Sequence, residues 1–90
     1  MFRLWAKEFK NNKMICDLVV ENDSAGKTRT QKVFAALDEI CHSFDLSVPI
    51  WLDHNINEFK RIDKTRFTSA NFFDAIDFDF LEIHVIEEDF

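Results

Sequence analysis

Gly26, Lys27 and Thr28 follow a strand-like stretch and open a helix-like one, which is how a phosphate-binding loop ends. Such a loop needs its first glycine at position 21. The chain has Glu21 there, and a carboxylate repels phosphate where backbone amides should approach it. A helix start preceded by a turn glycine accounts for the three residues. Lys60, Arg61, Lys64 and Arg66 place four of the 11 basic residues in one short run. They are the candidate anion-binding set, for an acidic partner, a phosphate group or a nucleic-acid backbone, unless they pair with the chain's own carboxylates. Asp74, Asp77 and Asp79 have a loop-like spacing of oxygen ligands but lack the glycine turn and downstream glutamate of a calcium loop. Asp53, His54 and His84 are metal-competent or acid-base residues that nothing in the sequence brings together. No serine is flanked by glycines, and Cys16 and Cys41 fall in a predicted strand and on a buried helix face, where reduced thiols act as small hydrophobes. The expectation is a protein that is not an enzyme and uses no metal or cofactor.

The 90 residues suit one domain and a single small core. Eleven Phe and two Trp supply more aromatic surface than such a core usually absorbs, which suggests an apolar patch kept for a partner. A net charge of −6 opposes general attraction to nucleic acid or anionic membranes. No apolar run is long enough to cross a bilayer and no signal-peptide pattern opens the chain. The expected location is cytoplasmic.

These side chains have to be positioned by elements that the hydrophobic periodicity outlines. Residues 28–46 (TRTQKVFAALDEICHSFDL) read as a helix, with Val33, Leu37, Ile40 and Phe44 on one face and Phe34 and Cys41 beside them. Thr28 and Gln31 have capping-box spacing, so the helix starts near Thr28. Residues 1–21 alternate as a hairpin about Asn11 and Asn12. A two-residue turn would put Trp5 opposite Leu18 and separate the two apolar faces. A three-residue loop over 11–13 with an Asn in the left-handed region lets Phe2, Leu4, Leu18 and Val20 share the face that meets the helix. Residues 22–27 (NDSAGK) are a turn-rich link. Residues 48–52 (VPIWL) read as a short edge strand, 64–68 (KTRFT) as another, and 54–67 is otherwise ambiguous, with Asn55 and Glu58 able to cap a helical turn. Residues 69–76 (SANFFDAI) suggest one or two helical turns capped by Thr68 and anchored by Phe72, Phe73 and Ile76. Residues 78–88 alternate as a strand with Leu81, Ile83 and Val85 toward the core.

The order of hairpin, helix, short strands, helical turn and C-terminal strand is α+β and resembles the ubiquitin-like β-grasp. That resemblance implies a mixed sheet packed on one helix, with the last strand beside the first and parallel to it. The di-glycine tail of conjugated modifiers is absent; the sequence given ends Glu88, Asp89, Phe90. A ferredoxin-like split βαβ arrangement is the alternative. The stretches FRLW (2–5), PIWLD (49–53), KTRFT (64–68) and LEIHVIEE (81–88) resemble those of a group of short uncharacterised bacterial proteins, a likeness that implies no activity. Trp5, Phe9, Ile15 and Val19 fall on the hairpin face away from the helix and, with Trp51, form the candidate protein interface. The expected function is that of a small interaction module or adaptor, with a protein partner or a second copy as the occupant. The alternative is a regulatory protein that binds phosphate or nucleic acid through 60–66.

Overall fold

The computed structural model describes residues 1–23 and 25–88. Strands β1 (Phe2–Lys10) and β2 (Lys13–Asn22) form the hairpin; α1 (Arg29–Ser43) and α2 (Asp53–Ile62) follow, then β3 (Lys64–Phe67), a single 3-10 turn (Ser69–Asn71) and β4 (Phe80–Glu87). The sheet order is β2-β1-β4-β3. The chain is therefore α+β, as the sequence indicates, and β4 lies inside the sheet beside β1. Every neighbouring pair is antiparallel, β1 with β4 included. That corrects the expected mixed sheet: β1 and β4 are not the parallel central pair of a β-grasp, and two helices cover the sheet instead of one. Nor is the split βαβ order met, since α2 follows α1 with no strand between them.

The hairpin reaches its register by a route the alternation does not reveal. Asn11 and Asn12 both sit in the left-handed region (φ 54° and 65°), the requirement of a tight two-residue turn, and asparagine tolerates it better than most residues. Lys10 thus faces Lys13 and Phe9 faces Met14, but the pairing shifts before Glu8, which faces Cys16. Ile15 is the extra residue of a β-bulge. From there Leu4 faces Val20 and Trp5 faces Val19, the register that a three-residue loop would have given. The loop length was wrong and the apolar face right: Phe2, Leu4, Ala6 and Val20 are buried in the core and Leu18 packs against it.

Helix α1 starts as the sequence predicts. The Gln31 N–H donates to Thr28 Oγ1 (3.2 Å) and the Thr28 N–H donates to Gln31 Oε1 (2.9 Å). It ends in a Schellman arrangement, with Leu46 N–H to the Cys41 carbonyl (2.8 Å), Asp45 N–H to that of His42 (3.3 Å) and Asp45 at φ 56°. Val33, Ala36, Leu37, Ile40 and Cys41 are buried, whereas Phe34, expected beside them, is 49% exposed. Residues 48–52 belong to no strand. Ile50 donates its N–H to the Asn71 carbonyl at 2.7 Å. The helical turns expected over 69–76 shrink to the 3-10 turn: Phe72 is buried against Phe78, but Phe73 is 85% exposed and anchors nothing.

A buried polar knot fixes this second half. Asn55 and Asn71 are fully enclosed with Thr65. Asn55 Nδ2 donates to Thr65 Oγ1 (2.8 Å) and to the Arg66 carbonyl (2.9 Å), and its Oδ1 accepts from the Leu52 N–H (3.1 Å) and from Asn71 Nδ2 (2.8 Å). Asn71 also donates to the Ile50 carbonyl (2.7 Å) and accepts from the Thr68 N–H (2.9 Å). The start of α2, β3, the loop at 50–52 and the 3-10 turn thus share one satisfied network.

Candidate functional site: the outward face of the sheet

Helix α1 lies over β1 and β2 and α2 over β3, and the core residues of β1 and β4 all project to that side. The other face is outward, and strand alternation assigns its side chains. The register sets them in rows across the sheet. Glu21, Arg3 and Glu87 make one; Val19, Trp5, His84 and Lys64 the next; then Asp17, Lys7, Glu82 and Arg66; and finally Met14, Phe9 and Phe80.

The rows interlock. Lys7 Nζ is 2.9 Å from Glu82 Oε2 and stands 3.9 Å from the centre of the Trp5 ring, while Trp5 Nε1 donates to Asp17 Oδ2 at 2.9 Å. Arg66 Nε reaches Glu82 Oε1 at 3.2 Å, and its guanidinium lies 4.5 Å over Phe80, which stacks on Phe9 at 5.0 Å. Arg3 Nε is 3.3 Å from Glu21 and 3.2 Å from Glu87. Burial alone would push the Glu82 carboxyl up, but Lys7 and Arg66 outweigh it and hold Glu82 below the usual carboxylate range. Burial, then Lys64 and Lys7, push His84 below the ordinary histidine value, so it is neutral at pH 7.

Of the candidate interface residues, Trp5, Phe9 and Val19 do share this face, and Ile15 sits at its edge in the bulge, 51% exposed. The surface they make is not a plain apolar patch, because cations and carboxylates alternate with the rings. Trp51 is elsewhere. It stands edge-on to Phe34 (6.0 Å), Phe59 (5.4 Å) and Phe67 (5.0 Å) on the helix side, so grouping it with Trp5 was mistaken. The basic run is likewise divided. Lys64 and Arg66 belong to β3 and the outward face, whereas Lys60 and Arg61 lie in the last turn of α2.

The remaining chemical candidates disperse. Thr28 Oγ1 is occupied by its cap, and among the described residues every strand pair is antiparallel, so no parallel strand stands behind Gly26. Asp79 Oδ2 accepts from the Asn11 N–H at 2.8 Å and so closes the hairpin turn. Asp53 and His54 open α2 and His84 lies on β4, and among the described residues no cluster of three His, Cys, Asp or Glu could hold a metal ion. Cys16 and Cys41 are free thiols, each pushed up to about 11, chiefly by burial. Such thiols are inert as nucleophiles.

Two features escaped the sequence. One is the pairing of Glu82 with Lys7 and Arg66, which depends on cross-strand register. The other is Glu8, which lies on the core face only 7% exposed and lines a cleft of about 420 Å³ with Asp77 and the end of α1. Among the described residues no helix is long and apolar enough to cross a membrane. No family model, no curated protein and no solved structure matches the chain.

Proposed function

We propose that this protein is a small interaction module that associates with a second copy of itself through the outward face of its sheet. One observation carries the reading. The β2 edge of that face bears Asp17 and Glu21, the β3 edge bears Lys64 and Arg66, and the aromatic side chains Trp5, Phe9 and Phe80 lie on the two strands between. A two-fold axis in the plane of contact, parallel to the strands, lays the acidic edge of each copy over the basic edge of the other and ring over ring. Four strands about 4.8 Å apart give a narrow face, so the expected dissociation constant is roughly micromolar. Sedimentation across a concentration series should show a monomer–dimer equilibrium. It should be lost in a Trp5→Ser, Val19→Ser double variant and weakened by Lys64→Glu. Monomers at every concentration of the unaltered protein would overturn the reading.

A second reading, recognition of phosphate or single-stranded nucleic acid, draws on Arg66 stacked over Phe80 with Lys64 in the neighbouring row. Salt separates the two. Backbone binding weakens steeply from low to moderate salt, while association held by buried rings loses only the smaller contribution of its edge charge pairs.

A further inference from the structure

The helix side of the molecule holds a groove of about 310 Å³ that the outward face does not share. It opens between α1 and α2, because Trp51 stands between Phe34 of α1 and Phe59 of α2 and keeps the helices apart. Val33 and Ile56 complete an apolar floor. Phe34 and Ile56 are 49% and 38% exposed there, large side chains left to water in a chain of net charge −6.

Two cations line the same groove, and they are not equivalent. Arg29 is already committed to two carboxylates: Nη2 lies 2.6 Å from Asp63 Oδ1 and Nε 2.6 Å from Glu88 Oε1. Lys60 forms no ion pair among the described residues, so its ammonium is the cation beside the apolar floor still open to a ligand's charge. The Trp51 ring lines the same groove. An apolar floor beside one cation free of ion pairs among the described residues calls for a ligand with an apolar body and a single anionic head. Room for about ten water-sized volumes of ~30 Å³ sets the body at about ten heavy atoms.

We propose that this groove binds a small amphipathic monocarboxylate, a medium-chain fatty acid being the simplest form, with its chain across Val33, Phe34 and Ile56 and its carboxylate toward Lys60. The site is separate from the sheet face and does not depend on self-association.

The test is a titration of the ¹⁵N-labelled protein with octanoate, octanol and octylamine, read at the backbone amides and at the two indole N–H signals. Octanoate should give saturable shifts at Thr30, Phe34, Ile56 and the Trp51 indole, and none at the Trp5 indole, which reports on the other face. Octanol should bind more weakly and octylamine weakest. Lys60→Gln should weaken octanoate about threefold, the range of an exposed ion pair, and leave octanol unchanged. Ile56→Trp, at a half-exposed position, should block the groove while the thermal transition is retained. Shifts that do not saturate, equal affinities for the acid and the amine, or undiminished octanoate binding in Ile56→Trp would each overturn the proposal.

Discussion

A carboxylate taken out of water either finds cations or binds its proton more tightly, and two glutamates of this sheet illustrate the two outcomes. Glu82 is buried on the outward face between Lys7 and Arg66, which hold it ionised. Its contribution to stability is present above the unfolded value and is lost as pH falls through its lowered folded value. Glu82→Ala leaves Lys7, itself largely enclosed, without its partner, and should cost about 3 kcal/mol in a urea titration at neutral pH. Glu8 has no cation. Burial raises its carboxyl, Asp77 adds to the rise, and the Cys16 hydrogen bond only partly opposes them. A raised carboxyl works with the opposite sign: the folded state binds the proton more tightly, so this stability is complete below the unfolded value of about 4.3 and is lost as pH rises through the folded one. Glu8→Gln should therefore raise the urea midpoint at neutral pH and lose that advantage at about pH 3.5. An equal effect at both pH values would mean that Glu8 acts through packing alone.

Among the elements, the least regular stretch is the most tightly tied. Asn71→Ala removes the bonds to Asn55, to the Ile50 carbonyl and from the Thr68 N–H, leaving buried groups unpaired. It should cost about 2 to 4 kcal/mol by chemical denaturation, and a loss under 1 kcal/mol would show that water replaces the side chain. The same stretch marks where the sequence stopped being readable. Helix α1 and strand β4 were legible because local signals suffice for them: a capping box at Thr28 and Gln31, and alternation at Leu81, Ile83 and Val85. Helix α2 was not, since its N-cap is Leu52, which has no side-chain oxygen, and the backbone at 52 is answered by Asn55 from inside the helix. Residues 48–52 have strand composition, but no strand lies alongside them, and the polar groups of Ile50 and Leu52 are met by Asn71 and Asn55 instead. For the candidate site, the alternation of Arg3, Trp5, Lys7 and Phe9 gave one strand of the outward face. Which side chains of β4 and β3 face them depends on antiparallel register across the chain, and no local pattern carries that.

For the molecule as a whole, the charge is unevenly spent. Arg3, Lys7, Lys64 and Arg66 balance Asp17, Glu21, Glu82 and Glu87 on the outward face, so the excess of −6 belongs to the rest of the surface. Two copies can therefore meet there without like charges at the contact, while the acidic remainder keeps assemblies from growing further. The strand order has a temporal consequence as well. The two central strands are β1 and β4, the earliest and the latest in sequence. On a ribosome, β1 leaves the exit tunnel first with only β2 to pair with, and its other edge stays open until β4 has been synthesised. No length of nascent chain short of β4 can complete the core: α1 can cover the Phe2, Leu4 and Ala6 side of the hairpin earlier, but the second edge of β1 stays unpaired until β4 emerges.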